Sequence, residues 1–202
     1  MKLILASNNE KKIKEIKEIL NINDLEVRSL RDENIDIDVV EDSDTFEGNA
    51  RKKASEIREY LLLKGESNFI VMSDDSGLEV DYLNGAPGVY SARYAGSHGD
   101  DAKNNEKLLK ELEGVKMEDR GANFVCHITL INSDGKELNV RGEVNGKILE
   151  TLNGASGFGY DPLFYYEGYR KTFGEISGED KNRVSHRGKA LQKLKERISE
   201  VL

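Results

Sequence analysis

The chain has 202 residues, the length of one domain or of two small lobes that share a core, so a large multidomain assembly is excluded. With 37% hydrophobic and 34% charged residues, it can bury a core beneath a heavily ionised surface. Its net charge of -8, from 30 Lys and Arg against 38 Asp and Glu, argues against binding nucleic acid or anionic membrane by bulk charge.

The cysteine content and the N-terminus bear on the compartment. Cys126 is the single cysteine, which excludes an internal disulfide framework and suits a reducing environment. The first apolar run is four residues long, and no later stretch approaches the roughly 18 apolar residues of a membrane span. We therefore expect a cytoplasmic protein with no membrane association.

The N-terminal part of the chain predicts alternating strands and helices. Residues 2–6 form an apolar strand, and Ser7, Asn8 and Asn9 are helix-capping types before a helical pattern of isoleucines. A second strand is predicted at residues 25–30, followed by an acidic stretch at 32–44.

The next predicted elements are a helix and a strand. A capping box formed by Asp44 and Glu47 predicts the start of a helix that runs to about Leu63. The apolar strand at residues 69–72 then leads into the polar segment Ser73-Asp74-Asp75-Ser76-Gly77. Ligands bind at such strand ends in open α/β sheets.

The C-terminal half predicts further mixed structure. Residues 84–99 are typical of an irregular loop, and a helix is expected over 101–112. Residues 122–131, which place Phe124, Cys126, Ile128 and Leu130 on one face, and 136–148 predict a long antiparallel hairpin. A glycine-rich region at 142–178 precedes a final helix at 185–201. The pattern predicts an α/β fold with two lobes on one mixed β-sheet.

Two segments suit a phosphate and a metal ion. Ser7-Asn8-Asn9-Glu10-Lys11-Lys12 lies at a helix start, where free N–H groups and the helix dipole favour an anion, although a capped surface helix has the same pattern. Asp74 and Asp75 are oxygen ligands of the kind that Mg²⁺ prefers, and a carboxylate can also orient or deprotonate water. A simple turn remains the alternative for the second segment.

Other candidates are weaker when taken singly. Glu41 could supply a second carboxylate to a metal, whereas Glu47 is more simply part of a cap, and Lys53 alone could be a solvated lysine. Near the C-terminus, aromatic rings and fixed polar groups suit stacking and edge recognition of a nucleobase. These residues are Phe158, Gly159, Tyr160, Asp161, Lys181, His186 and Arg187. Core packing and an exposed helix start are the simpler explanations for them. No P-loop or dinucleotide-binding glycine motif occurs.

Taken together, these segments resemble the inosine triphosphate pyrophosphatase family over nearly the whole chain. The resemblance rests on residues 7–12 for an [ST]-x-N-x-x-K opening, on residues 73–78, on residues 85–93, on Phe158-Gly159-Tyr160-Asp161-Pro162, on Lys181 and on Ser185-His186-Arg187-Gly188. Members hydrolyse non-standard purine nucleoside triphosphates such as ITP, dITP and XTP to the monophosphate and pyrophosphate. Many members have a Glu where this chain has Gly48, which bears on the role of Glu41.

The resemblance implies a role for each matching residue. Residues 7–12 and Lys53 would hold the triphosphate, with Ser76 close to the substrate and Arg93 a weaker phosphate candidate. Asp75 would be the catalytic carboxylate and a Mg²⁺ ligand, with Glu41 as the second acidic contact. Residues 158–161, Lys181, His186 and Arg187 would bind the nucleoside and read its 6-keto group.

The resemblance also implies an architecture and a mechanism. We expect a single domain over residues 1–202, with two lobes on a long mixed sheet, flanking helices and an active-site cleft between the lobes, assembled as a homodimer. Water would attack the α-phosphorus while Asp75 orients or deprotonates it. The alternatives are a pyrophosphatase for modified pyrimidine triphosphates or dTTP, a nucleotide-binding module without turnover, and a nucleic-acid binder that uses the basic C-terminal helix.

Overall fold

The computed structural model describes residues 1–20 and 25–202 and is a mixed α/β fold. Its strands are β1 (Lys2–Leu5), β2 (Glu26–Ser29), β3 (Phe69–Val80), β4 (Gly121–Asn132), β5 (Glu137–Ile148), β6 (Phe164–Tyr166) and β7 (Lys171–Thr172). Its α-helices are α1 (Glu10–Ile19), α2 (Phe46–Leu63), α3 (Asp101–Glu111), α4 (Gly178–Val184) and α5 (His186–Arg197). Within the described ranges, no helix is both long enough and apolar enough to cross a membrane.

The seven strands form one sheet in the order β2-β1-β3-β4-β5-β6-β7. β1 runs parallel to both β2 and β3, whereas β6 is antiparallel to β5 and to β7. A four-residue connection joins β4 to β5, and a connection that short requires antiparallel strands. The predicted mixed α/β class and the predicted hairpin are therefore confirmed.

The chain divides into two compact units, and the prediction of one domain over residues 1–202 stays a prediction. The first unit comprises Met1–Asp75, Cys126–Gly142 and Arg187–Leu202. Alternate residues of its strands bury apolar side chains on opposite faces, with Leu3 and Leu5 in a cluster with α1 and α5, and Ile4 in a cluster with α2. Burial on both faces is typical of parallel strands covered by helices.

The second unit comprises Ser76–Val125 and Glu143–His186, and it has its own apolar cluster. Phe124, Phe164 and Phe173 pack against one another there, with ring centroids 4.6–6.1 Å apart. Arg120 is buried beside this cluster and donates hydrogen bonds to four backbone carbonyls, including that of Leu112 at 2.6 Å. Those carbonyls replace the water that a buried guanidinium would otherwise need.

Several predicted details are wrong. The strand that was expected to end at Met72 continues to Val80, so the Ser73–Gly77 segment lies inside β3 instead of following it. The N-cap of α2 is Thr45 and not Asp44, because the Thr45 hydroxyl accepts the Gly48 N–H at 3.0 Å. The capping box with Glu47 is therefore absent.

The other differences concern the second half of the chain. β4 is buried on both faces, since Val125 and Thr129 are as inaccessible as Cys126 and Ile128. Residues Gly88–Arg93, in the expected irregular loop, form a 3₁₀ helix. The final helix, expected from about residue 185, begins at His186 as predicted, whereas α4 before it is an element that the sequence analysis did not predict.

Candidate active site

The joint between β1 and α1 presents the predicted phosphate segment. Asn9 caps α1, and its side-chain oxygen accepts the backbone N–H groups of Lys11 and Lys12, each at 3.1 Å. Asn8, Asn9, Glu10 and Lys11 are exposed, while Ser7 is half-buried and accepts the Asn9 N–H at 3.2 Å. The Asn9 oxygen therefore serves the helix, and a ligand would meet the remaining exposed polar groups of this joint.

Asp74 lies at the centre of a buried charge cluster in the first unit. Its Oδ2 is 3.2 Å from Lys12 Nζ and 3.0 Å from Arg187 Nη2, and the other arm of Arg187 pairs with Glu15 at 2.5 Å. Burial alone would raise the pKa of Asp74, but the charges of Lys12 and Arg187 outweigh it and hold the pKa below its usual value. Asp74 is thus an ionised anchor between α1 and α5.

Asp75, the next residue of β3, has a different environment. Its Oδ2 accepts a 3.0 Å hydrogen bond from Asn49 Nδ2 of α2, so the two aspartates have partners on different helices. Burial raises the pKa of Asp75, although Lys53 and Lys12 partly offset the effect. A buried carboxylate with a raised pKa beside cationic groups has the character of a general base.

Lys53 links the acidic stretch to the same part of β3. Its ammonium lies 2.5 Å from Glu41 Oε1 and donates to the Asp74 carbonyl at 2.6 Å. Burial would lower the pKa of Lys53, but the carboxylates of Asp75, Asp74 and Glu41 raise it above the ordinary value. The first unit therefore brings Lys12, Lys53, Glu41, Asp74 and Asp75 into one electrostatic group, and Lys53 is not the solvated helical lysine of the simpler interpretation.

The second unit contains a separate set of predicted residues around Asp161. The buried Asp161 Oδ2 accepts the Phe158 N–H at 2.8 Å and the Lys181 ammonium at 2.7 Å. Lys181 Nζ also lies 4.6 Å from the centre of the half-buried Phe158 ring. An aromatic face, a carboxylate and an ammonium held together in this way are suited to stack on a base and bond to its edge.

The remaining predicted residues have various surroundings. Tyr160 is buried, and its hydroxyl donates a hydrogen bond to the Ser91 carbonyl at 2.8 Å. His186 is also buried, and its ring stacks on Phe124 with centroids 4.7 Å apart. Ser76 is half-buried on β3, and Arg93 lies over the Tyr90 ring. Arg187 was expected to bind the nucleoside, and in the structure its guanidinium donates hydrogen bonds to the carboxylates of Asp74 and Glu15 in the first unit.

The Ham1 family model matches residues 3–197 of the chain. The chain belongs to the Ham1 family. A dITP/XTP pyrophosphatase of Clostridium perfringens is 60% identical over 201 residues, covering 100% of this chain and 98% of that protein. The Ham1 protein structure from Staphylococcus aureus has a TM-score of 0.86 and 40% identity, covering 98% of both chains. A nucleoside-triphosphatase / dITP/XTP pyrophosphatase structure from Mycobacterium abscessus has a TM-score of 0.75 and 43% identity, covering 96% of this chain and 98% of that chain.

These matches confirm the family and fold class expected from the sequence, and the structure adds site residues that the sequence analysis missed. Asn49 contacts Asp75, and Glu15 contacts Arg187. The signal for Asn49 is an amide within the apolar stripe of α2, which otherwise includes Ala50, Ala54 and Ile57. Glu15 carries no such signal, because a glutamate on an amphipathic helix is ordinarily solvated.

The position where many family members have a Glu is closely packed in this chain. A Cβ on Gly48 would meet the Ser43 side chain, with Ser43 Cβ only 2.8 Å away. Ser43 belongs to the acidic stretch, and its N–H donates to the Asn49 side chain at 2.9 Å. The serine thus fills space beside the glycine and fixes this stretch against the start of α2.

Gly48→Ala is expected to destabilise the protein by about 1–3 kcal/mol, as overpacking does. In a Ser43→Gly background the cost of the same change is expected to fall, because only Thr45 Oγ1, at 3.0 Å, then remains close to the added Cβ. Ala also favours helix over Gly by about 1 kcal/mol. Urea unfolding of the four variants in a double-mutant cycle measures the coupling. Equal costs of Gly48→Ala in both backgrounds would contradict the packing argument.

The oxygen atoms of the first unit fit a magnesium ion that also binds phosphate. Within the described ranges, no three His, Cys, Asp or Glu side chains form a group that could hold a metal unaided. Mg²⁺ commonly uses one or two carboxylates and completes its shell with water and substrate phosphate. Asp75 and Glu41 lie close enough to interact electrostatically, and Asp74 Oδ1 is buried without a hydrogen-bond partner among the described residues. The donor set is therefore one that magnesium accepts.

The lowered pKa of Asp74 predicts a specific dependence of stability on pH. The ordinary pKa of an aspartate is 3.8, and the folded-state pKa of Asp74 is lower. Its ionised form therefore stabilises the fold fully above pH 3.8, and this contribution is lost as the pH falls through the folded-state pKa. We expect the stability difference between the wild type and Asp74→Asn to shrink below pH 3.8 in acid-unfolding curves. A difference that stays constant down to pH 2 would contradict the assignment.

Proposed function

We propose that this protein hydrolyses ITP, dITP and XTP to the nucleoside monophosphate and pyrophosphate, and so removes non-standard purines from the nucleotide pool. The observation that carries the proposal is the electrostatic group of the first unit, where Lys12 and Lys53 accompany the buried Asp75. Similarity over the full chain to dITP/XTP pyrophosphatases supports the same substrate class. This group combines cations that can bind phosphate with a carboxylate that can deprotonate water.

The phosphate-binding role is assigned to the start of α1 and to the two lysines. Each ammonium has three donors, so Lys12 can hold Asp74 and still bind a phosphate oxygen. Lys53 can do the same while it contacts Glu41 and the Asp74 carbonyl. As the bond between the α- and β-phosphates breaks, these cations offset the charge that builds on the departing pyrophosphate.

Asp75 is the proposed general base, and Asn49 holds it in position. A water attacks the α-phosphorus and transfers its proton to Oδ1 of Asp75, while Oδ2 stays bonded to Asn49. Asp75 and Glu41 would hold Mg²⁺. When bound, that ion neutralises phosphate charge and helps to align the triphosphate.

The base would bind at Phe158, Asp161 and Lys181 of the second unit. Lys181 Nζ lies over the half-buried Phe158 ring, and an aromatic ring of this kind can stack on a base. A carboxylate accepts from the N–H groups of an inosine or xanthine edge, and an ammonium donates to a keto oxygen. The adenine 6-amino group is a donor, so it would leave the ammonium without an acceptor, which is the basis of rejection.

The decisive experiment measures pyrophosphate release from ITP, XTP, dITP, GTP, ATP and dTTP, with Mg²⁺ and with EDTA. Metal-dependent release from ITP and XTP should exceed that from ATP and GTP by more than about tenfold. Preference for dTTP would reassign the protein to the pyrimidine class, and binding without turnover would indicate a nucleotide-binding module. A homodimer in the cytoplasm is the assembly and location that we propose, and light scattering on the purified chain checks the dimer.

A further inference from the structure

The base-binding loop at residues 157–161 is anchored by side chains that the reaction does not use. Asp101 Oδ2 accepts the Gly159 N–H at 2.9 Å, and Asn105 Nδ2 donates to the Gly159 carbonyl at 2.8 Å. Both polar groups of one residue are thereby attached to α3. Gly159 has φ +62, a backbone conformation that side-chain-bearing residues rarely adopt but that is open to glycine. Because glycine is also free to adopt other conformations, the two hydrogen bonds select this one.

The two anchoring residues belong to the first turns of a well-packed helix. Asn105 is 5% exposed, and its Nδ2 also donates to the Asp101 carbonyl at 2.9 Å, so one amide nitrogen bridges two carbonyl oxygens. The opposite orientation of the amide would place Asn105 Oδ1 against the carbonyl oxygens of Asp101 and Gly159. Three acceptors would then meet without a donor, so the nitrogen must face these two carbonyls. Leu108 and Leu112 follow within the apolar cluster of the second unit, which makes α3 a rigid support.

The groups on either side of Gly159 are the ones that would read the base. Phe158 N–H and Lys181 Nζ converge on Asp161 Oδ2 at 2.8 and 2.7 Å. The path through Gly159 therefore sets the spacing between the Phe158 ring and the Asp161 carboxylate. A shift of that peptide would misplace the ring and the carboxylate relative to each other.

We propose that Asp101 and Asn105 are positioning residues that determine base discrimination, because they clamp the Gly159 peptide between the Phe158 ring and Asp161. The proposal rests on the proposed function, since discrimination requires a base in this subsite. Loss of the clamp leaves the phosphate-binding residues of the first unit unchanged. It lets the loop accept bases whose edges do not match Asp161 and Lys181.

The test compares Asn105→Leu with Asn104→Leu on the same helix. Asn104 is also buried and bonded to backbone, at Ala92 and Ala95, but not to the base-binding loop. Both variants should lower the melting temperature. Only Asn105→Leu should raise the KM for ITP and reduce the ITP-to-ATP ratio of kcat/KM, by about tenfold or more.

Asp101 provides a second pair of variants. These variants should disturb folding less, because the Asp101 side chain is only half-buried. Asp101→Ala should reduce the ratio, and Asp101→Asn, which keeps an oxygen acceptor for the Gly159 N–H, should restore it to within about twofold. An unchanged ratio in both Asn105→Leu and Asp101→Ala, or an equal fall in Asn104→Leu, would overturn the proposal. If the wild type itself does not distinguish ITP from ATP, the proposed function fails instead.

Discussion

Asp75→Asn is expected to lower kcat for ITP by about 10²–10⁴-fold, the range for loss of a general base. The variant keeps an oxygen that can accept the Asn49 hydrogen bond, but it cannot take a proton from water. Because burial disfavours the ionised Asp75, the substitution is not expected to reduce the free energy of unfolding. Initial rates of pyrophosphate release and urea unfolding measure the two effects separately.

The control for this prediction is Asp134→Asn, which alters an exposed aspartate in the turn between β4 and β5. It should leave both kcat and stability unchanged. Asp75→Asn should still bind ITP in equilibrium measurements, which separates loss of chemistry from loss of the site. If Asp75→Asn kept more than a tenth of the wild-type kcat, Asp75 would not be the base.

The N-terminal elements could be predicted because their local signals agree with their packing. The capping residues before α1 and the apolar spacing of Ile16 and Leu20 placed a helix where the structure has one. β3 was predicted too short because Asp, Ser and Gly favour turns, whereas Lys12, Arg187 and Asn49 supply partners that keep these polar residues inside a strand. Asn49 is 26 residues from Asp75 in the chain, and Arg187 is 113 residues from Asp74. Local propensity therefore contains no information about these partners.

The candidate site shows the same division between local and distant information. Carboxylates after an apolar strand suggested chemistry at Asp74 and Asp75, but alternation alone could not assign a role to either. Burial, the Asn49 contact and the two opposed pKa directions distinguish them, with Asp74 an ionised anchor and Asp75 a candidate base. The clamp on Gly159 was invisible because Asp101 at a helix start is simply a favourable N-terminal residue.

Arg187→Met is expected to destabilise the protein by about 3–5 kcal/mol, the cost of breaking a buried ion pair from one side. Arg187 and Asp74 are each 1% exposed in their side chains, so neither charge can recover water when its partner is removed. The matched control is Arg197→Met. Its ion pair with Glu200 is half-exposed, so its loss should leave the free energy of unfolding nearly unchanged. Urea unfolding of both variants at neutral pH gives the comparison.

Replacing Arg187 and both of its carboxylate partners by neutral residues separates charge from packing. In Arg187→Met alone, the carboxylates of Asp74 and Glu15 lose their guanidinium partner, and Lys12 offsets only part of the charge. Adding Asp74→Asn and Glu15→Gln removes both charges, so the triple variant should be more stable than Arg187→Met even though it departs further from the wild type. If the triple variant were less stable, Arg187 would act mainly by filling space between α1 and β3. The buried guanidinium would then stabilise the first unit by packing, and Asp74 would not need it to remain ionised.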